Sequence, residues 1–137
     1  ILTAGKSIFG VATDDSHNYH DFEPKRSNPG RGWIVVHAYK LSTDSICNAL
    51  SSGEFYASTG VTLHKLEVSQ RSISLEIEKD RFSYIYTTRF TGKNGIILSE
   101  ITGTEAEYKF HGDETYVRAT VTSSANTKAW VQPVFLE

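Results

Sequence analysis

The sequence lacks methionine, has one cysteine and three prolines, and contains no long apolar run. With no second cysteine, Cys47 cannot form an internal disulfide, so the fold does not depend on an oxidising compartment. This leaves the localisation undetermined. No segment approaches the roughly 18 apolar residues that span a bilayer, so we expect no membrane partner. Because the chain starts at Ile1 and has no methionine, we expect it to be a piece of a longer polypeptide.

The sequence also lacks an excess of either charge. Fourteen Lys and Arg residues stand against 16 Asp and Glu residues, which gives a formal net charge of −2. A protein that binds the nucleic-acid backbone usually has a basic stripe and a high pI. We therefore expect no nucleic-acid partner.

The hydrophobic pattern changes near residue 61. Before it, the apolar segments 8–13, 32–39 and 55–58 are predicted strands and alternate with a helix at about 43–52, as at the end of an α/β unit. After it, short segments alternate apolar and polar residues between turns, which is typical of an antiparallel β-sandwich. The predicted strands there lie in a hairpin at 66–77 and at 82–90, 96–101, 105–110, 115–122 and 129–136. The expected fold class is mainly β with a short α/β N-terminal part.

Potential metal ligands are densest at Asp14-Asp15-Ser16-His17, directly after the apolar segment 8–13. In an extended chain, Asp15 and His17 would project to the same side, roughly 6.5–7 Å apart. A carboxylate with an imidazole suits Zn, Mn or Fe. The same residues are also ordinary turn formers, and two ligands do not complete a metal site. Spacing alone leaves both interpretations open.

The polar loop that follows, residues 16–31, offers donors for a phosphate. His20 and Arg31 are the candidates, because cationic side chains are the usual partners of anions. Solvation of loop residues explains the same composition without any ligand. Trp33 and Trp130 are likewise either ligand platforms or core residues.

Several segments, taken in order, resemble one known family. They are Phe9-Gly10-Val11-Ala12-Thr13-Asp14-Asp15-Ser16-His17, Gly30-Arg31-Gly32-Trp33-Ile34-Val35-Val36, and Ala49-Leu50-Ser51-Ser52-Gly53-Glu54-Phe55-Tyr56-Ala57-Ser58-Thr59-Gly60. Together they resemble the closing third of PHP-domain proteins (the polymerase and histidinol phosphatase superfamily). Two later segments are similar to the β-rich tail of some bacterial members: Tyr116-Val117-Arg118 and Ala129-Trp130-Val131-Gln132-Pro133.

The resemblance implies a distorted β/α barrel whose cluster of two or three divalent metal ions hydrolyses phosphoesters through metal-bound water. Its last ligand motif is D-x-H, which makes Asp15 and His17 metal ligands and Asp14 a neighbour that orients the strand end or supports a ligand. Residues 1–60 would then be the end of a PHP-type barrel, and residues 61–137 an accessory antiparallel β-sandwich.

The family's other ligand motifs have no counterpart in this sequence. The resemblance therefore implies that the partner is the missing N-terminal part of the same barrel and that the substrate is a small phosphoester. We expect the chain alone to be inactive as a hydrolase.

A second hypothesis needs no metal. A non-catalytic β-sandwich binds a carbohydrate or a protein partner through exposed aromatic side chains that lie in one plane. The candidates are Tyr84, Tyr86, Tyr108 and Tyr116, and burial of these rings on the core face would contradict the hypothesis.

Overall fold

The computed structural model describes residues 1–82 and 85–136, and it is mainly β, with 38% strand and 12% helix. This confirms the mainly-β prediction. The described part has ten strands, one α-helix and two short 3-10 helices. The strands are β1 (Trp33–Val36), β2 (Phe55–Ser58), β3 (Leu63–Val68), β4 (Ser72–Ile77), β5 (Tyr86–Thr91), β6 (Ile97–Thr102), β7 (Glu105–Lys109), β8 (Tyr116–Ser123), β9 (Lys128–Val131) and β10 (Val134–Phe135). The helices are α1 (Thr43–Ser52) and the 3-10 turns Leu2–Ala4 and Lys93–Gly95.

The strands form two antiparallel sheets. The larger sheet has the order β1-β2-β9-β8-β5-β6, with β10 also paired to β8, and the smaller sheet has the order β3-β4-β7. One hydrophobic core contains residues of both sheets. Within it, the rings of Phe90 and Tyr108 stack with centroids 5.5 Å apart. The expected antiparallel, sandwich-like character is therefore present, but the larger sheet also includes β1 and β2, which precede residue 61.

The hairpin β3–β4 forms as its residues predict. Val68 pairs with Ile73, and the Ser69 amide donates to the carbonyl of Ser72 across the turn. The Ser69 hydroxyl oxygen also accepts from the amides of Arg71 and Ser72. A serine that satisfies backbone donors of its own turn is common turn chemistry.

Helix α1 also matches its sequence signals at both ends. The hydroxyl oxygen of Ser42, the N-cap, accepts from the Ser45 amide, and Gly53 has the left-handed φ of 78° expected just after a helix. These contacts satisfy backbone groups that the helix ends leave unpaired. The residues of α1 are mostly exposed, and Ala49 is the buried one.

The first 60 residues do not form an α/β unit. Strands β1 and β2 flank α1 in sequence but pair antiparallel, with Trp33 opposite Ser58, whereas an α/β unit aligns parallel strands. No strand forms over residues 8–13, so the strand predicted there is wrong. Strand β2 also pairs with β9, with Tyr56 opposite Val131, so the division at residue 60 does not separate two sheets.

Proline interrupts the last predicted strand. Residues 129–136 divide into β9 and β10, with Gln132 and Pro133 between them. Pro133 has no amide hydrogen to donate to a neighbouring strand, so its position between two strands leaves no strand hydrogen bond unmade.

The helices of the described residues are too short or too polar to span a membrane.

The smaller sheet does not cover the whole inner face of the larger one. Trp33 and Val35 lie opposite Ser58 and Tyr56, so they share a face with the core ring of Tyr56. Both are nevertheless 39% exposed. Strand β1 is the end strand of the larger sheet, and its inner face is left partly open to solvent.

Candidate functional site

The loop that carries the predicted ligands is closed by Asp14. Its carboxylate oxygens accept hydrogen bonds from three consecutive amides, those of Gly30 at 3.0 Å, Arg31 at 2.5 Å and Gly32 at 2.6 Å. These bonds join residues 16 to 18 positions apart in sequence. A carboxylate that accepts several amide hydrogen bonds makes strong, charge-assisted contacts. Asp14 therefore ties the start of the loop to its end.

The hydrogen bonds of Asp14 also change its acidity. The amide of Gly32, followed by that of Gly30, stabilises the ionised carboxylate and lowers the pKa of Asp14 below its usual 3.8. The side chain is thus a hydrogen-bonded anion at neutral pH. Backbone donors therefore occupy both carboxylate oxygens of Asp14.

The interior of the loop is organised around the buried side chain of Asn28. Its Nδ2 donates to the carbonyls of Asn18 and Asp21 at 2.9 and 3.0 Å, and its Oδ1 accepts from the Glu23 amide at 3.2 Å. The amides of His17 and Asn18 both donate to the carbonyl of Ser27. The loop therefore has defined internal bonding although it contains no strand or helix.

The side chains of Asp15 and His17 lie on the exposed surface of this loop. Asp15 has a φ of 49°, in the left-handed region, so the extended geometry assumed for this pair is wrong at Asp15. Neither side chain forms a hydrogen bond or an ion pair with another described residue. Both are therefore available to an external ligand. Between them, the hydroxyl oxygen of Ser16 is buried and has no hydrogen-bond partner in the described part of the chain.

The two predicted phosphate contacts are exposed in the same loop. His20 lies three residues beyond His17, and its amide approaches Asn18 Oδ1 at 3.4 Å. The Arg31 guanidinium donates through Nη1 to the carbonyl of Arg26 at 3.3 Å, and its own amide is bound by Asp14. The carbonyl of Arg26 is the partner of the Arg31 guanidinium among the described residues.

Sequence analysis missed a second group of potential ligands in the β7–β8 turn. One ligand atom from each of His111, Asp113 and Glu114 lies within 4.8 Å of the others. Among residues 1–82 and 85–136, this is the one group of three or more potential ligands whose ligand atoms lie this close together. Asp15 and His17 belong to no such group. The close spacing of His111, Asp113 and Glu114 in sequence could have indicated this group. Exposed acidic turns, however, commonly have such spacing without binding metal.

The carboxylate of Glu114 in this group has a structural role. It accepts from the Tyr108 hydroxyl at 2.6 Å and from the amides of His111 and Gly112. Burial alone would raise the pKa of Glu114, but these donors outweigh burial and lower the pKa to about 2. Burial, followed by the hydrogen bond to Glu114, raises the pKa of Tyr108 to about 12. The group is therefore explained as a turn closed by Glu114.

The aromatic plane proposed for a carbohydrate-binding module does not form from the three named tyrosines that the structure describes. Tyr86, Tyr108 and Tyr116 are 3%, 7% and 4% exposed. Tyr84 lies outside the described residues. Rings buried in the core cannot stack on a sugar, so this basis for the second hypothesis is wrong for those three tyrosines.

Comparison with known proteins identifies no relative: no family model, no curated protein and no solved structure matches this chain.

Proposed function

We propose that this chain is the C-terminal part of a metal-dependent phosphoesterase. In this proposal Asp15 and His17 supply metal ligands, and residues 61–137 form an accessory antiparallel β-sandwich. The observation that carries it is an exposed carboxylate and an exposed imidazole, two residues apart, on a loop whose ends Asp14 joins. Neither side chain has a partner in the part of the chain that the structure describes. The resemblance of residues 9–17 to the last ligand motif of PHP-domain proteins supplies the reaction class.

The donor set suits a divalent metal ion. A carboxylate oxygen with an imidazole nitrogen is a favourable pair for Zn, Mn or Fe. Catalytic sites need at least three protein ligands, and two-metal sites need more. The remaining ligands would come from the preceding part of the same polypeptide, the proposed partner of this chain. The chain by itself is then expected to be inactive.

Uncovered apolar side chains support such a partner. Trp33 and Val35 on the end strand are each 39% exposed, and Tyr39 and Leu41 just beyond it are 98% and 96% exposed. Neighbouring apolar residues exposed together often mark a surface that another protein segment covers. Because Trp33 directly follows Gly32, whose amide donates to Asp14, a segment packed on Trp33 would lie close to the loop that carries Asp15 and His17.

The loop residues have separate roles in this proposal. Asp14 holds Asp15 in place through the backbone of residues 30–32, which makes it a positioning residue. His20 and Arg31 donate hydrogen bonds to the phosphate oxygens of the substrate. When bound, the metal ions supply Lewis-acid stabilisation of the developing negative charge.

The experiment is metal analysis of the full-length protein that contains this chain. Purified wild type, Asp15→Ala and His17→Ala are compared for bound Zn, Mn and Fe and for hydrolysis of p-nitrophenyl phosphate. We expect both variants to lose metal and activity. Asp21→Ala and His64→Ala are matched controls, because these residues are also an exposed aspartate and an exposed histidine.

Two results would overturn the proposal. One is full metal content in both the Asp15 and His17 variants, and the other is equal loss of metal in the two controls. Arg31→Gln separates binding from metal loading, because we expect it to raise KM for the phosphoester while the metal content stays at the wild-type level.

A further inference from the structure

A cavity of about 410 Å³ lies on the outer face of the larger sheet. Residues 8–12 form one wall, and Ala57, Arg118 and Trp130 lie on the sheet side. Trp130 is paired with Thr120 on one side and with Ala57 on the other. Arg118 is two residues from Thr120 on the same strand, so it shares that outer face.

The Arg118 side chain has no hydrogen-bond or ion-pair partner among the described residues. Its Nε is buried and has no hydrogen-bond acceptor, and no described carboxylate forms an ion pair with its guanidinium. Its neighbour in the sheet is Thr91 on β5, a neutral residue. A buried donor with no acceptor costs roughly 1–3 kcal/mol, and more when the group is charged. An anion bound in the cavity would remove this cost.

The rest of the lining is suited to an apolar body. Ile8 and Val11 line the wall opposite the sheet, and the Trp130 ring and Pro133 line other parts. Gln132 is polar, but both ends of its amide are occupied by the backbone of Gly10. The guanidinium of Arg118 and the indole N–H of Trp130 are therefore the side-chain donors of this lining that have no described partner.

We propose that this cavity binds a small organic carboxylate with an apolar body. The planar guanidinium of Arg118 can donate two parallel hydrogen bonds to one carboxylate, which gives geometry as well as charge complementarity. Ile8, Val11 and Trp130 bury the apolar part. The volume falls within the roughly 300–1,000 Å³ of small-molecule sites. A free phosphate would leave the apolar walls unused.

This inference goes beyond the phosphoesterase proposal, because none of its residues is a proposed metal ligand. It is tested on the 137-residue chain without metal. The chain has two tryptophans, so Trp33→Phe leaves Trp130 as the sole indole fluorophore. Hexanoate, hexan-1-ol and inorganic phosphate are titrated separately at constant ionic strength.

Hexanoate is expected to produce a saturable change in Trp130 fluorescence. Hexan-1-ol and phosphate should bind about tenfold or more weakly, because hexan-1-ol has no carboxylate for Arg118 and phosphate has no apolar body. Arg118→Gln in the same background should weaken hexanoate binding about tenfold or more, and Arg118→Lys should weaken it less. Arg71→Gln is the matched control, because Arg71 is exposed at the β3–β4 turn. It should bind hexanoate like its parent.

A second measurement does not depend on the folding of any variant. In ¹⁵N-labelled wild type, hexanoate should shift the side-chain NεHε signal of Arg118 and leave that of Arg71 in place. The proposal is overturned if hexanoate gives no saturable response, if hexan-1-ol or phosphate binds as tightly, or if the Arg118 signal does not move. A fluorescence response unchanged in a folded Arg118→Gln variant would overturn it as well.

Discussion

Gln132 holds Gly10 by a pair of reciprocal hydrogen bonds. Gln132 Nε2 donates to the Gly10 carbonyl and Oε1 accepts from the Gly10 amide, both at 2.8 Å, across 122 positions of sequence. A side-chain amide here makes the two bonds that a neighbouring strand would make. These two hydrogen bonds hold residues 8–12 over the cavity. Asp14 follows this segment two residues later in the chain.

Replacing Gln132 should release this segment. In Gln132→Ala the Gly10 amide and carbonyl lose their partners, and we expect unfolding stability to fall by about 1–3 kcal/mol. Hydrogen exchange of the Gly10 amide, followed by NMR, should become much faster. Gln70→Ala, at the exposed β3–β4 turn, is the control and should change neither quantity. Unchanged protection of Gly10 in the Gln132 variant would show that other contacts hold the segment.

Two glycines with the same backbone angle should respond differently to alanine. Gly53 and Gly95 both have a φ of 78°, but a Cβ on Gly53 would lie 2.4 Å from Phe9 Cε1, whereas one on Gly95 would meet nothing within 4 Å. Both substitutions incur left-handed strain of roughly 1–2 kcal/mol. Gly53→Ala must also displace Phe9, at about 1–3 kcal/mol more.

Thermal unfolding of both variants measures the difference. Gly95→Ala is the control for strain alone, and Gly53→Ala should melt at a clearly lower temperature. The ring of Phe9 also packs edge-on to Phe55, with centroids 6.2 Å apart, so its NMR signals should shift in the Gly53 variant. Equal destabilisation by the two substitutions would mean that Phe9 is not fixed against the helix end.

The Tyr108–Glu114 hydrogen bond predicts a defined acid response. Glu114 has its pKa lowered to about 2, so it contributes stability above its ordinary value of 4.5 and loses that contribution as pH falls towards 2. In Tyr108→Phe the main side-chain donor is gone, and the pKa of Glu114 should rise towards 4.5. Titration of the Glu114 carboxyl carbon by ¹³C NMR measures this shift.

The control for this titration is Tyr39→Phe, because Tyr39 is 98% exposed. It should leave the pKa of Glu114 near 2. At the alkaline end, the raised pKa of Tyr108 makes its contribution complete below pH 10 and lost between about 10 and 12. A wild-type Glu114 that titrates near 4.5 would contradict the assigned hydrogen bonds.

Short-range chemistry made several elements predictable. Helix α1 was placed at its observed bounds by the capping of Ser42 and the positive φ available to Gly53. The β3–β4 hairpin followed from alternating residues on both sides of a serine-containing turn. The loop over 16–31 was also expected, because polar residues and Asn28-Pro29-Gly30 disfavour regular structure.

The candidate site was predictable only in part. Adjacent acidic residues and a histidine identified Asp15 and His17 as potential ligands. The sequence does not show that Asp14 binds three amides beyond residue 29, because that contact joins two ends of a loop. Nor did it indicate that Arg118 faces a cavity, since alternation along β8 assigns it to one of two faces without saying what covers either.

The residues alone therefore determined the mainly-β class, helix α1 and the β3–β4 hairpin turn, because these depend on neighbours a few positions apart. Three-dimensional packing decided the rest. It paired β1 antiparallel to β2, left residues 8–13 without a strand, and placed Gly10 against Gln132. These pairings depend on which segments, distant in sequence, together bury the most apolar area while their backbone groups remain hydrogen-bonded. A local sequence pattern does not show which distant segment will pack against it.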